Sequence, residues 1–378
     1  MRTKRYTIRQ YLQKGMLVLA GAYLCGCTAE QLIDEPIDKP EGWSEVRFFT
    51  SVATRAEVLG TPAETLTDKA KVRLYPYRQK IGVTEPILIK DYEVANQESG
   101  GQQLSPVAPV DVPENNSATA MILPSGKFAF YAVTTNSATE DVPEFSTGGA
   151  VNGVPSLSTG TASVKNGVDY LFAKTEQTIV FGTEQTNVPL EFTHKGTQVQ
   201  LTILFSANAC APDETAASNF AEATVEIQTT SEADAKMRLN DGQIILSGNQ
   251  TEGEPDKTGT LQQMAVKKEG SASGNIPATQ VATYHMLPLK AAAGQKMDIK
   301  ITIQNLKIGE AGATTRIYTG KLDASSGWLA GTSNRYTLTL SGTKIEFSPV
   351  TVVPWVNGSS GGEVGDVENK PASAQITE

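Results

Sequence analysis

The chain has 378 residues, 39% hydrophobic and 19% charged, and its net charge of −9 excludes the basic surface with which a protein holds nucleic acid or an anionic membrane. Three cysteines cannot supply a disulfide framework for a chain of this length, so the fold must rest on hydrophobic cores, and there is enough chain for two domains of ordinary size. Few Lys and Arg residues and an abundance of Thr, Ser, Gly and Ala point to β-structure joined by long loops.

Residues 1–26 read as a targeting segment. Arg2, Lys4, Arg5, Arg9 and Lys14 make a basic start, and Met16 to Leu24 is an apolar run too short to span a bilayer as a helix. The ending Leu24-Cys25-Gly26-Cys27 resembles the lipobox of bacterial lipoproteins, in which the last cysteine becomes the first residue of the mature chain and carries acyl groups. Losing five basic residues and no acidic ones would take the net charge from −9 to −14. An acylated Cys27 would leave Cys210 without a disulfide partner in the chain. Residues 27–42 are polar and carry prolines, as a tether does.

From there strand patterns recur. Val46, Phe48, Thr50 and Val52 alternate in the first, Phe128, Phe130 and Ala132 in another, and Val199, Leu201, Ile203 and Phe205 in a third. Met297, Ile299, Ile301 and Ile303 oppose polar neighbours, as do Tyr336, Leu338 and Leu340. Strict period two with one wet face is the pattern of antiparallel sandwiches. The best helical candidate is short, near Asp213 to Ala221. Residues 95–118, 136–167 and 248–275 read as long loops. Two β-rich halves meet near Thr183 to Val188, which divides the chain into residues 43–186 and 187–356. Residues 357–378 form a Gly/Ser-rich acidic tail.

The pattern carries little catalytic chemistry. His194 and His285 stand about ninety residues apart with no second ligand at metal spacing, and each reads as a structural histidine. No nucleophile elbow, P-loop or zinc-protease motif sits in the context it requires. Cys210 follows an apolar strand as a small packing residue, and the tryptophans Trp43, Trp328 and Trp355 are spread along the chain. Neither an enzyme, a metal site nor a cofactor is expected.

Several stretches together resemble the fimbrillins, the subunits of type V pili exported as outer-membrane lipoproteins. They are the lipobox and tether, "VRFFTSVATRAEV" from Val46, "NGVDYLFAKTE" with "VPLEFTHKGTQVQLTI", and the closing "GWLAGTSNRYTLTLSGTKIEFSPVTVVPW". The resemblance implies an all-β fold of two β-sandwich domains with transthyretin-like topology. It also implies a precursor held by lipid on Cys27 and cut by an arginine-specific, trypsin-like protease. Departure of the first strand would then open a groove for a strand from another fimbrial subunit. Arg55, followed by small Ala56, is the expected cleavage site, because Arg47 lies inside the first strand and Arg73 inside the next. The alternative is a surface lipoprotein that does not polymerise and binds glycans through gathered aromatics, or acts as a fimbrial anchor or tip.

Overall fold

A computed structural model of the chain describes residues 41–52, 65–96, 101–107, 119–146, 153–246, 258–341, 344–347 and 351–355, all within one compact unit, Glu41–Glu378. Strand is the dominant element among the described residues, interrupted by a single one-turn helix. The first half holds β1 (Trp43–Val52), β2 (Lys71–Lys80), β3 (Val83–Pro86), β4 (Lys90–Asn96), β5 (Gln102–Pro106), β6 (Met121–Pro124), β7 (Gly126–Thr134), β8 (Thr161–Ser163), β9 (Leu171–Ile179) and β10 (Gln185–His194). The second half begins with β11 (Thr197–Phe205), β12 (Ala209–Cys210), a one-turn helix α1 (Glu214–Ser218), β13 (Thr224–Thr230), β14 (Lys236–Arg238) and β15 (Ile244–Ile245). It continues through β16 (Thr258–Gln263), β17 (Ala265–Glu269), β18 (Thr279–Met286), β19 (Lys296–Ile308), β20 (Thr314–Asp323), β21 (Thr332–Ser341), β22 (Lys344–Phe347) and β23 (Thr351–Pro354). The fold class is all-β, as the period-two patterns require.

In the first half the strands run β10-β9-β7-β2-β4-β5-β1, and β1 pairs back onto β10, so seven strands close into a barrel-like ring; β6 pairs with β1 and β3 with β2. Inside lie Val46, Phe48, Val72, Leu74, Tyr92, Leu104, Met121, Leu123, Phe128, Phe130, Val188, Leu190 and Phe192, all buried. Phe48 meets Tyr92 and Phe130 edge to face at ring distances of 5.4 Å each. β10 spans the boundary read at residues 186 and 187, and the change from one sheet to the next falls between His194 and Thr197.

The second half is a sandwich. One sheet runs β17-β18-β11-β21, with β22 and β23 both on the far edge of β21; the other runs β16-β13-β19, with β20 beyond β19. The inward residues of β11, β13, β19 and β21 alternate with wet ones and fill the core with Val199, Leu201, Ile203, Val225, Ile227, Met297, Ile299, Ile301, Ile303, Leu338 and Leu340. α1 starts at Asp213, whose carboxylate accepts the Ala216 N–H at 2.6 Å, the usual way a helix satisfies a first-turn donor.

A third core joins the halves. The outer face of β2, β7 and β9 presents Tyr75, Tyr77, Tyr131 and Phe172, covered by Val142, Phe145, Val164 and Val168 from the β7–β9 connection and by Met237, Leu239 and Leu287 from the second half. β8 of the first half pairs with β14 of the second. Four short strands lie in stretches that read as loops, namely β5, β8, β16 and β17. β5 offers the eye one apolar side chain, Leu104, while its buried Gln102 is accommodated because its side-chain amide exchanges two 2.7 Å hydrogen bonds with the Leu66 backbone. β16 is an edge strand with mostly exposed side chains, so no alternation marks it.

Candidate functional site

The feature of this fold most suited to function is the seam that β1 closes. β1 runs parallel to β10 from Glu45 opposite Gln185 to Val52 opposite Phe192. On its other side it is antiparallel to β6, from Trp43–Pro124 to Val46–Met121, and to β5 at Phe49–Gln103 and Thr50–Gln102. β10 meets its remaining strand partner β9 only at Thr193–Phe172 and His194–Leu171. Taking β1 out would therefore open the ring between β10 on one side and β5 and β6 on the other. The exposed groove would be walled by Leu104, Met121, Leu123, Val188, Leu190 and Phe192.

The side chains that fill the groove are Val46, Phe48 and Val52, exposed by 1%, 0% and 4%. Burying three such side chains contributes roughly 5–9 kcal/mol gross. Ser44 adds a buried hydroxyl pair with Thr186 at 2.9 Å. Thr50 fits less well: its Oγ1 is enclosed without a hydrogen-bond partner among the described residues.

The expected cleavage residues Arg55 and Ala56, the expected lipidation residue Cys27 and the tail 357–378 lie outside the described residues. The arginines set aside from the sequence are both engaged. Arg47 donates to Glu45 at 2.7 Å within β1. Arg73 makes a two-pronged pair with Asp91 at 2.7 and 3.0 Å, which raises its pKa above the ordinary arginine value even against the cost of burial.

A second constellation was not visible in the sequence. Trp355, one residue past β23, stacks on His194 at a centroid distance of 3.9 Å and an interplanar angle of 13°, and lies 5.0 Å from the His285 ring. The His194 Nδ1 is 2.7 Å from Asp169 Oδ1, and Asn136 Nδ2 donates to Asp169 Oδ2 at 3.2 Å. Burial is the main force holding the His285 pKa below its ordinary value; His194 pushes the same way and Asp169 opposes them. Thus both histidines are bound into the fold. Among the described residues no group of three His, Cys, Asp or Glu side chains is placed to hold a metal. Trp328 and Trp355 are each 1% exposed and Trp43 38%, so the three tryptophans are not gathered into an open aromatic platform. Cys210 is buried, with Asn275 Nδ2 at 3.2 Å from its sulfur.

Comparison with known proteins fits this architecture. A family model described as fimbrillin-like matches residues 54–355, beginning two residues after the end of β1. No curated protein matches. Among solved structures, a candidate cell adhesion protein from Bacteroides ovatus ATCC 8483 is 13% identical, with 84% of this chain and 99% of that one covered at a TM-score of 0.54. Another candidate cell adhesion protein, from Bacteroides fragilis NCTC 9343, is 16% identical, with 85% of this chain and 100% of that one covered at a TM-score of 0.51. At these identities the likeness is one of fold.

Proposed function

The chain belongs to the fimbrillin-like family, and from that premise we propose that it is a structural subunit of a surface fimbria, assembled by strand exchange after proteolytic removal of β1. Membership implies a cell-surface location, interaction with other fimbrial subunits and a structural role; the solved relatives described as cell adhesion proteins suggest that the fimbria supports adhesion.

The observation that carries the proposal is the closure of the first barrel by β1 alone, three residues before Arg55. A strand bounded by its own chain on both sides of the groove is held as long as the following peptide is intact. Once Arg55–Ala56 is cut, nothing covalent joins β1 to the barrel, and a strand from another subunit can replace its ladders and its three apolar side chains. That exchange is close to isoenergetic in type, since each lost backbone hydrogen bond and each buried side chain has a successor. Until the cut, β1 covers edges that would otherwise pair with any strand available. The discarded piece carries Cys27, so the same cut would release an acylated precursor from its membrane.

The test is Arg55→Ala in cells that make the fimbria. The expected product is full-length, membrane-bound and unable to polymerise, while the wild-type mature chain begins at Ala56 by N-terminal sequencing and intact mass. Fibres from Arg55→Ala indistinguishable from wild type would sink the proposal.

A further inference from the structure

The last described strand has a small hold on the fold. β23 pairs with β21 over four positions, from Thr332 opposite Pro354 to Arg335 opposite Thr351. Thr351 and Val352 are exposed, and the buried anchor is Trp355, whose N–H donates to Gly331 O at 3.0 Å. The far end of this ladder is poorly supported, because Arg335 Nε is enclosed without a hydrogen-bond partner among the described residues.

Trp355 meets two unlike histidines. His194 is fixed. Its ring stacks on the indole at 3.9 Å, its Nδ1 is 2.7 Å from Asp169 Oδ1, Asn136 Nδ2 donates to Asp169 Oδ2 at 3.2 Å, and Asn136 Oδ1 accepts the Thr67 N–H at 2.7 Å. His285, 5.0 Å from the indole, lines a cavity of about 590 Å³ together with Asn136, Ser137, Glu140, Gly167 and Asp169. Solvent therefore brings a proton to this ring without the fold opening.

The surroundings do not favour a proton there. Asp169 already serves His194 and Asn136, and Glu140, which shares the cavity, is 3.3 Å from Lys165 Nζ. Lys195, next to His194, turns its ammonium to the Phe172 ring at 5.1 Å, and the Tyr284 phenol, pushed up to about 12 by burial, stays neutral. Burial is the main cause that holds the His285 pKa below its ordinary value; His194 acts in the same direction and Asp169 against it.

We propose that Trp355 and His285 form a proton-released clasp, in which a neutral His285 keeps β23 on β21 and a protonated one favours the state where Trp355 has left and the ring is in water. Release of β23 bares the edge of β21 at residues 332–335 and frees the chain from residue 351 onward. β22, farther along the same edge, and both main cores stay in place. A released His285 titrates near the ordinary value of 6.5 and a clasped one lower. Below pH 6.5 the released form therefore binds more protons, so acid favours release, and above it the clasp has no pH dependence.

The test is amide hydrogen exchange of the full chain at pH 7.5 and 5.5, each rate divided by the intrinsic rate at that pH, which reads local opening. Expected at pH 5.5 is a loss of protection of up to about tenfold at the Trp355 amide and in β23, the most that one proton taken up near pH 6.5 supplies over that interval, while β11 and β19 keep theirs. His285→Gln should stay protected at pH 5.5. Equal protection of the wild type at both pH values overturns the clasp, as does a loss that persists in His285→Gln. A loss shared by β11 and β19 also overturns it, since that is general unfolding. A second arm does not rely on the glutamine variant. In Trp355→Ala the His285 pKa, read by NMR, should rise toward 6.5, and an unchanged value would sink the proposal.

Discussion

At the scale of single residues, Trp355 is where the chain's two histidines converge. The sequence shows His194 and His285 as isolated, and in the fold both lie against the Trp355 ring. Their meeting on one indole was not legible, because stacking leaves no spacing signature when its members come from β10, β18 and the residue after β23. The pairing makes stability depend on pH in a definite direction. Burial, with His194 acting in the same sense, lowers the His285 pKa in the folded chain below the value of 6.5 that it takes when unfolded. Below pH 6.5 the unfolded chain therefore binds more protons at this site than the folded one, so stability falls as the pH drops through that window. Above it His285 is neutral in both states and contributes no slope. The carboxylates of Glu85, Asp141 and Glu176, held low by Lys80, Lys71 and Lys127, contribute stability above their unfolded values and lose it only at lower pH, as they protonate. The thermal midpoint should thus decline between pH 7 and 5, and His285→Gln should flatten that decline. An unchanged slope in the variant would show that other groups carry it.

At the scale of elements, β1 was legible as a strand and as an inward face, since Val46, Phe48 and Val52 are all buried as their alternation requires. Its partners were not. β10 is about 140 residues away and parallel, and β5 was concealed by a polar composition that Gln102 satisfies through the Leu66 backbone. Pairings of this range are set by tertiary packing rather than by local propensity. Two substitutions should move the hold on β1 in opposite directions. Phe48→Ala removes a fully enclosed ring that meets Tyr92 and Phe130, and should cost about 3–5 kcal/mol in denaturant unfolding. Thr50→Val keeps the shape and removes an enclosed hydroxyl that lacks a partner, and should stabilise by about 1 kcal/mol. If β1 is the element exchanged, the first variant should polymerise faster after cleavage and the second more slowly. Equal polymerisation rates in both would separate strand stability from assembly.

At the scale of the whole molecule, the division into residues 43–186 and 187–356 is a proposal about folding units, and the third core bears on it directly. Each half has a large core of its own, which favours independence. Against this, among the described residues β8 pairs with β14 alone, and the amide groups of Asn166 in the first half are bound by the second: its N–H donates to Glu232 Oε1 at 2.7 Å, its Nδ2 to Thr230 O at 2.9 Å, and its Oδ1 accepts the Leu287 N–H at 2.9 Å. Met237 and Leu239, both 0% exposed, then close an apolar layer over Tyr75, Tyr77, Tyr131 and Phe172. Buried polar networks and apolar contact across the same boundary should couple the halves, so calorimetry of the wild type should give one transition. Met237→Glu buries an unpaired carboxylate in that layer while leaving both main cores untouched, a cost of several kcal/mol borne by the junction alone. The variant should melt in two steps, the halves separating before either core is lost. One transition shifted bodily to lower temperature would instead mean that the joint core is part of a single cooperative fold, and that strand exchange at the first barrel must then be felt by the second.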